Sequence, residues 1–347
     1  MKRSPRLRRQ FVNFDRTQMK HATRISDLGL ETIQQVLSTA KAWKAKPHPK
    51  HLRDKLLGML FFNPSLRTRV SFEAVMARGG GSAVVMEAGN STWKLEHRLG
   101  AMMDADRAEH LKEAVPVLCR YVDALAVRTF ADGVDDDTDH SDVVIKAFRD
   151  YATVPVVSME SAREHPCQGM ADFLTIEEHF GSAKGLPVTL TWAPHIRPLP
   201  KAVPNSFVLT AAALGCELRV AHPQGFELHP DVVREAETYS AASGGSISFC
   251  HDQCSAMNGS RAVYGKAWGP ATSSALGPDV VRQHVDWMVS PAHMQRAAHD
   301  AIFLHCLPVR RNVEVADAVL DGRWSRVVDE AENRFHVQRA LLDWLLN

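Results

Sequence analysis

The sequence predicts an α/β protein built as two doubly wound parallel-sheet domains. Strand-length apolar runs alternate with amphipathic helical stretches along most of the chain, the pattern of parallel strands covered on both faces. The alternation comes in two series, separated by a long amphipathic stretch from His165 to near Gly181. The length of 347 residues suits about two domains at roughly 150 residues each.

In the first series, Leu56–Phe62 (LLGMLFF) is continuously apolar, as a strand buried on both faces must be. A turn at Asn63-Pro64 follows, then Thr68–Arg78 at helical period. Ser82–Met86 reads as strand, His110–Tyr121 as helix despite Pro116, and Ala124–Arg128 as strand. Ser141–Tyr151 is helical and Val154–Ser158 is strand. After Gly185 the expected strands are Pro187–Thr191, Glu217–Ala221, Ser246–Phe249, Ala262–Tyr264 and Ala301–His305. The Leu-rich segment Ala331–Leu346 reads as a last helix. The expected division is 1–165 for the first domain, with helix 331–347 packed back on it, and 166–330 for the second, joined near 160–185. From Pro194 to Pro204 there are four prolines in eleven residues, a stiff non-sheet connection that serves as a rigid linker or a pocket wall.

Composition narrows the function. Apolar residues at 45% and charged residues at 23% exclude a disordered tail and a coiled coil. No apolar run approaches the ~18 residues of a membrane span, so no membrane partner is expected. The 41 Lys+Arg against 40 Asp+Glu give a charge of +1, so no global field points to nucleic acid. Any anion must be held by local arrangement. Six dispersed cysteines without a CxxC pair read as reduced thiols of a cytoplasmic protein. Cys250-His251-x-x-Cys254 lacks a second ligand pair, so no metal is expected. The basic N-terminus (Lys2, Arg3, Arg6, Arg8, Arg9) lacks the apolar segment of a secretion signal and reads as a frayed tail.

Three motifs each follow a strand. Ser65-Leu66-Arg67-Thr68 opens a helix, where free backbone N–H groups and the helix dipole favour an anion. The Ser65 and Thr68 hydroxyls add donors, and Arg67 offers a planar fork that matches a phosphate edge. A Ser before a helix is by itself an ordinary N-cap. His165-Pro166-Cys167-Gln168 begins the long central helix, at a strand's carboxyl end where α/β folds place ligands. His305-Cys306-Leu307-Pro308 leads from a buried strand into Arg310-Arg311, a place where arginines need an anion partner.

In order and spacing, these motifs resemble the aspartate/ornithine carbamoyltransferase family over about residues 50–340. The resemblance implies that Ser65, Leu66, Arg67 and Thr68 cradle the phosphate of carbamoyl phosphate. It implies Arg128 and His165 on the carbonyl oxygen, Gln168 and the carbonyls of Cys306 and Leu307 on the carbamoyl amine, and Arg334 closing on the same ligand. The catalytic set so implied is Arg67, Thr68, Arg128 and His165, with no cofactor and no covalent role for Cys306. Trp93 would reach in from a neighbouring copy, because the family forms homotrimers with shared sites.

The acceptor side departs from the ornithine pattern. Where ornithine enzymes carry an Asp, this chain has Lys266 in Val263–Gly269. A lysine there would repel a free α-ammonium by roughly a kcal/mol or more at close range. Together with Thr191–Phe207 (TWAPHIRPLPKAVPNSF), Trp93–Glu96 and His305–Asn312, this resembles the N-acylornithine branch, whose proline-rich loop is threaded into a backbone knot that general fold rules do not foresee. By that resemblance Glu160, His195, Lys266 and Arg310 bind the acceptor, with Asn205 beside them. Acetyl-type members carry Glu, and succinyl-type members Pro, at the position of Ala108. A small neutral residue removes like-charge repulsion, which favours N-succinyl-L-ornithine over N-acetyl-L-ornithine. Glu314 stands where acetyl-type members can carry Lys. Two rivals remain. A non-catalytic anion-binding member would lack some of the charged contacts, whereas Arg67, Arg128, His165, Arg310 and Arg334 are all present. A dinucleotide enzyme needs a Gly-rich turn after a strand, and Gly79-Gly80-Gly81 follows a helix instead.

Overall fold

The computed structural model describes residues 19–46, 50–131, 133, 135–270 and 283–347. The basic N-terminal residues Lys2 to Arg9 lie outside this set.

Two parallel sheets form the framework. In the first, β1 (Leu56–Phe61), β2 (Ser82–Glu87), β5 (Ala124–Arg128) and β6 (Val156–Glu160) run in the order β2-β1-β5-β6. Strands β1 and β5 are interior, and β1 is buried from Leu57 onward, as its unbroken apolar run requires. In the second, β7 (Pro187–Trp192), β8 (Glu217–Ala221), β9 (Ser246–Cys250), β10 (Ala262–Lys266) and β11 (Ile302–Leu304) run in the order β11-β10-β7-β8-β9. A short parallel ribbon, β3 (Lys94–Glu96) with β4 (Arg107–His110), stands apart from both.

Among the described residues the α-helices are α1 (Ile25–Ala45), α2 (Leu66–Gly79), α3 (Leu111–Leu118), α4 (Asp136–Ser141), α5 (Val143–Tyr151), α6 (Pro166–Phe180), α7 (Ala202–Ala213), α8 (Pro230–Ser243), α9 (Gln253–Met257), α10 (Pro291–Met294), α11 (Asp317–Leu320) and α12 (Val327–Leu346). The first eleven residues of α6 and every residue of α7 are buried. A helix apolar all round belongs inside a protein, and these two pack against each other. Their approach depends on Gly169, where a Cβ would come within 2.7 Å of Thr210 Oγ1 and 2.8 Å of the Ser206 carbonyl. α12 packs on α6, α1 and α2, and one continuous core takes in residues of both sheets.

The two-sheet architecture is the one the sequence predicts, and all the expected strands are present with ends shifted by one or two residues. Other readings need correction. The stretch Ser141–Tyr151 is not one helix: Asp142 adopts φ 54 between α4 and α5. The proline-rich connection stops before Pro204, which lies in the first turn of α7, where its missing N–H has no intrahelical acceptor to lose. Helix α1 and the β3–β4 ribbon were not anticipated. The final helix starts at Val327, four residues before Ala331, and thereby contains Glu330.

Candidate active site

The carboxyl ends of both sheets face one cleft. β1 delivers the Pro64–Thr68 turn, β5 ends on Arg128, and β6 ends on Glu160 with His165 opening α6. From the other sheet, β7 leads to His195, β10 ends on Lys266, and β11 leads to His305 and Cys306. The cavity between them, about 650 Å³, is lined by Ser65, Leu66, Arg67, Thr68, Arg128, Glu160, His165, Gln168, His195, Lys266, Cys306, Leu307, Arg310 and Arg334, and also by Arg197. The near-zero charge of the chain therefore conceals a local excess of arginine and lysine.

Each group is held in a particular state. Ser65 caps α2, its Oγ accepting from the Thr68 amide at 3.4 Å. Thr68 is buried, and its Oγ1 accepts from Arg334 Nη2 at 2.8 Å, which leaves the hydroxyl proton to donate to a ligand. Arg128 Nη1 donates to Glu160 Oε2 at 2.6 Å, both side chains being largely buried. A bulge in the β5–β6 ladder pairs Arg128 with Glu160 and skips Met159, and Glu160 sits at φ 152. Arg67 Nε, Arg128 Nε and Arg334 Nε have no hydrogen-bond partner among the described residues. Buried polar atoms are rarely left so, and these donors suit an anionic ligand.

His165 is fixed through its backbone, whose N–H donates to Ser206 Oγ at 2.7 Å. Burial, with Arg334 and Arg128 nearby, pushes its pKa well below the usual imidazole value, so the ring is neutral. Both its ring nitrogens lack partners among the described residues. Gln168 is oriented by two carboxylates. Its Nε2 donates to Asp172 Oδ1 at 2.7 Å and to Glu330 Oε1 at 2.8 Å, which leaves Oε1 unpartnered as an acceptor. Glu330 Oε2 accepts from the His305 amide at 2.8 Å, so one carboxylate in α12 ties the HPCQ and HCLP segments together. Burial, and their mutual repulsion, pushes Asp172 far above the carboxylate range, and burial raises Glu330 to about 7. Burial also holds the Cys306 thiol up at about 12, which excludes a thiolate at neutral pH.

On the second-sheet side, Arg310 Nε donates to His195 Nε2 at 3.0 Å, and His195 Nδ1 lies 2.8 Å from the Arg197 carbonyl, so the imidazole proton is on Nδ1. His305 Nδ1 accepts from the Leu307 amide at 2.9 Å, which turns Nε2–H toward Glu314 Oε1 at 3.5 Å. Burial would raise Glu314, but His305, Lys266 and the Arg310 amide hold its pKa down at about 2. Leu307 turns at φ 54 and is followed by a cis peptide to Pro308.

Two candidates lie elsewhere. Asn205 lines a neighbouring cavity, and its Nδ2 donates to the Arg163 carbonyl at 2.9 Å. Trp93 is 60% exposed just before β3, where its Nε1 donates to Glu109 Oε2 on β4 at 2.8 Å. Ala108 is exposed on the β3–β4 ribbon. Sequence reasoning missed Arg197, Asp172 and Glu330. For Glu330 the only signal was its place four residues before Arg334.

Opposed parallel sheets with polar groups converging at their carboxyl ends, among them a neutral imidazole and unpartnered arginine nitrogens, define an α/β protein with a cleft for a small anionic ligand. Residues 20–178 match the aspartate/ornithine carbamoyltransferase carbamoyl-P binding domain and residues 200–345 the Asp/Orn binding domain of that family. The chain belongs to the aspartate/ornithine carbamoyltransferase family, and it is a carbamoyltransferase. N-acetylornithine carbamoyltransferase of Xanthomonas campestris pv. campestris is 37% identical over 334 residues, 93% of this chain and 97% of the relative. N-succinylornithine carbamoyltransferase of Bacteroides thetaiotaomicron is 40% identical over 282 residues, 81% of this chain and 84% of the relative. Among solved structures, acetylornithine transcarbamylase complexed with acetylcitrulline superposes with a TM-score of 0.91 at 38% identity, covering 95% of this chain and 100% of that one. A variant of N-acetyl-L-ornithine transcarbamylase complexed with carbamyl phosphate and N-succinyl-L-norvaline is equally similar, with a TM-score of 0.91.

Proposed function

We propose that this chain transfers the carbamoyl group of carbamoyl phosphate to the δ-amine of N-succinyl-L-ornithine, giving N-succinyl-L-citrulline and phosphate in arginine biosynthesis. The reading of an acylated acceptor rests on Lys266, which ends β10 in the cavity wall, 7% exposed, where a free α-ammonium would be repelled. The preference for succinyl rests on Ala108. It carries no charge, and the adjacent Glu109 is tied back by the Trp93 indole N–H.

The groups divide as follows. Ser65, Leu66, Arg67 and Thr68 take the phosphate. Thr68 Oγ–H, Arg128 and the neutral His165 donate to the carbamoyl oxygen, where negative charge grows as the amine attacks. Gln168 Oε1 and the Cys306 and Leu307 carbonyls accept from the carbamoyl NH₂, with Arg334 closing on the ligand. Glu160, His195, Lys266 and Arg310 hold the acceptor. The δ-nitrogen lone pair forms the C–N bond, the C–O bond to phosphate breaks, and the departing phosphate accepts the amine proton. In this reading the segments 1–165 with 331–347 bind carbamoyl phosphate and 166–330 binds the acceptor. Homotrimers in the cytoplasm complete each site by placing Trp93 and the residue at position 108 in a neighbouring cleft, and the proline-rich loop, whose Leu199 carbonyl accepts from Gly269 N–H at 2.9 Å, is threaded as a knot.

The second reading is N-acetyl-L-ornithine as acceptor, favoured by the acetylornithine relatives that align with 93% of this chain. Initial rates with carbamoyl phosphate and ornithine, N-acetylornithine or N-succinylornithine separate them. The highest kcat/KM is expected on the succinyl compound. A higher value on the acetyl compound overturns the acceptor assignment, and turnover of free ornithine alone overturns the role of Lys266.

A further inference from the structure

The register of β8 against β9 pairs Ala221 with Cys250, so the residues after them, His222 and His251, leave the sheet side by side at its carboxyl edge. Their rings lie 5.1 Å apart at 79°. Glu227, on the loop that continues from His222, brings its carboxylate to the same place. One ligand atom from each of the three lies within 4.8 Å of one from each of the others. The sequence flagged Cys250-His251-x-x-Cys254, but the fold gathers His251 with His222 and Glu227, not with the cysteines.

The tautomers are preset. His222 Nδ1 lies 2.9 Å from the Pro223 carbonyl, and His251 Nδ1 lies 2.9 Å from the His222 carbonyl. A carbonyl can only accept, so Nδ1 carries the proton in both rings and Nε2 is left with a lone pair. A carbonyl fixing one imidazole nitrogen while the other binds is the usual support of a metal-ligating histidine. Glu227 Oε1 accepts from the Gly225 amide at 3.0 Å, a solvent-exposed contact that orients the carboxylate without fixing it. His222 is 2% exposed and rigid, whereas Glu227 and His251 are exposed and can turn. Tetrahedral bonds of about 2.0–2.1 Å need ligand atoms about 3.3 Å apart, a closure these two side chains can make.

We propose that His222, His251 and Glu227 form a site for one divalent cation of the zinc type, with a fourth position open to water. Imidazole and carboxylate ligands suit such an ion. The site lies outside the carbamoyl-transfer cavity. None of the three lines that cavity, and the loop that carries Glu227 is held by the Phe226 carbonyl, which accepts from Trp268 Nε1 at 2.7 Å. The other histidine cluster, His140 with His229 and Asp231, is a poorer host: Arg163 Nη1 stands 3.1 Å from His140 Nε2, a fixed positive charge against the ligand atom.

The test uses the full-length chain without an affinity tag, stripped with a chelator, titrated with Co²⁺ by visible d–d absorption and with Zn²⁺ by equilibrium dialysis. One ion per chain is expected, displaced from cobalt by zinc. Altering the outer support of a bound metal weakens it by about 10–100-fold, so His251→Ala and Glu227→Gln, which remove ligands, are each expected to weaken binding by more than about tenfold. His140→Ala is expected to bind as the parent does. Carbamoyl transfer by the two ligand variants in chelator, equal to the parent's, shows that they fold. Absence of stoichiometric binding by the parent, binding unchanged in both ligand variants, or loss of binding in His140→Ala overturns the proposal.

Discussion

Glu330→Gln isolates how the cleft aims Gln168. In the parent, both oxygens of Glu330 accept, one from Gln168 Nε2 and one from the His305 amide, each at 2.8 Å. Glutamine keeps the shape but offers one acceptor and one NH₂, so a donor must face a donor. If it faces His305, the HCLP turn is displaced. If it faces Gln168, that amide rotates and turns its own NH₂ to the cavity, donor against the carbamoyl NH₂. A buried donor left unpaired costs about 1–3 kcal/mol. If that cost falls on the transition state, kcat/KM for carbamoyl phosphate falls roughly 5- to 150-fold at 1.4 kcal/mol per tenfold. Steady-state kinetics at saturating acceptor read this, and a cycle with Gln168→Ala tests the route: the double variant should be little worse than Gln168→Ala alone, because both changes remove one interaction. Additive losses, or a Glu330→Gln enzyme with parental kcat/KM, would refute the reasoning.

Other outcomes follow from the same geometry. Cys306→Ala should keep kcat within about tenfold, since a thiol with a pKa near 12 does not act as nucleophile; loss of all turnover with carbamoyl phosphate binding intact, read by calorimetry, would contradict this. Ala108→Glu should move the kcat/KM ratio from succinyl toward acetyl by about tenfold or more, by placing a carboxylate against the succinyl carboxylate; an unchanged ratio would remove residue 108 from acceptor selection. Glu164 is fully buried, with Oε2 accepting from the Ile25 amide at 2.7 Å, and desolvation raises its pKa from 4.5 to about 8. The folded state favours its protonated form, so the stability it contributes is complete below about 4.5 and is lost as pH rises toward and through 8. Glutamine cannot ionise, so the Tm of Glu164→Gln relative to the parent should climb between about pH 5 and 8 and level off above; a pH-independent difference would show that this carboxyl does not titrate there.

The strand ends and the three motifs were legible because their signals are local: an apolar run, a turn, then residues whose chemistry needs a strand's carboxyl end. Ser65–Thr68, His165–Gln168 and His305–Leu307 accordingly meet in one cavity. Features set by tertiary direction were not legible. Asn205 sits one turn past the proline-rich loop, yet its amide is turned to the Arg163 carbonyl, a direction that only the packing of α7 on α6 decides. Glu330 reads as an ordinary acid in the first turn of a helix, and its role emerges only because α12 lays it against Gln168 and the end of β11. Helix α1 did carry a signal, with Ile33, Val36, Leu37 and Ala40 on one buried stripe, but Gly29 at φ 66 interrupts its first turns. The β3–β4 ribbon is short, mostly half-buried and rich in charged residues, so neither periodicity nor apolar content marks it.

The central claim is that a C–N bond forms between the carbamoyl carbon and a side-chain amine in this cleft. Carbon-13 NMR of a reaction with ¹³C-carbamoyl phosphate and N-succinyl-L-ornithine tests it most directly. The label is predicted to appear in a δ-ureido carbon in step with one equivalent of inorganic phosphate, and to fail to do so with Arg128→Ala. Label that stays in carbamoyl phosphate, or passes to cyanate and carbonate while the ornithine derivative is unchanged, would contradict the account.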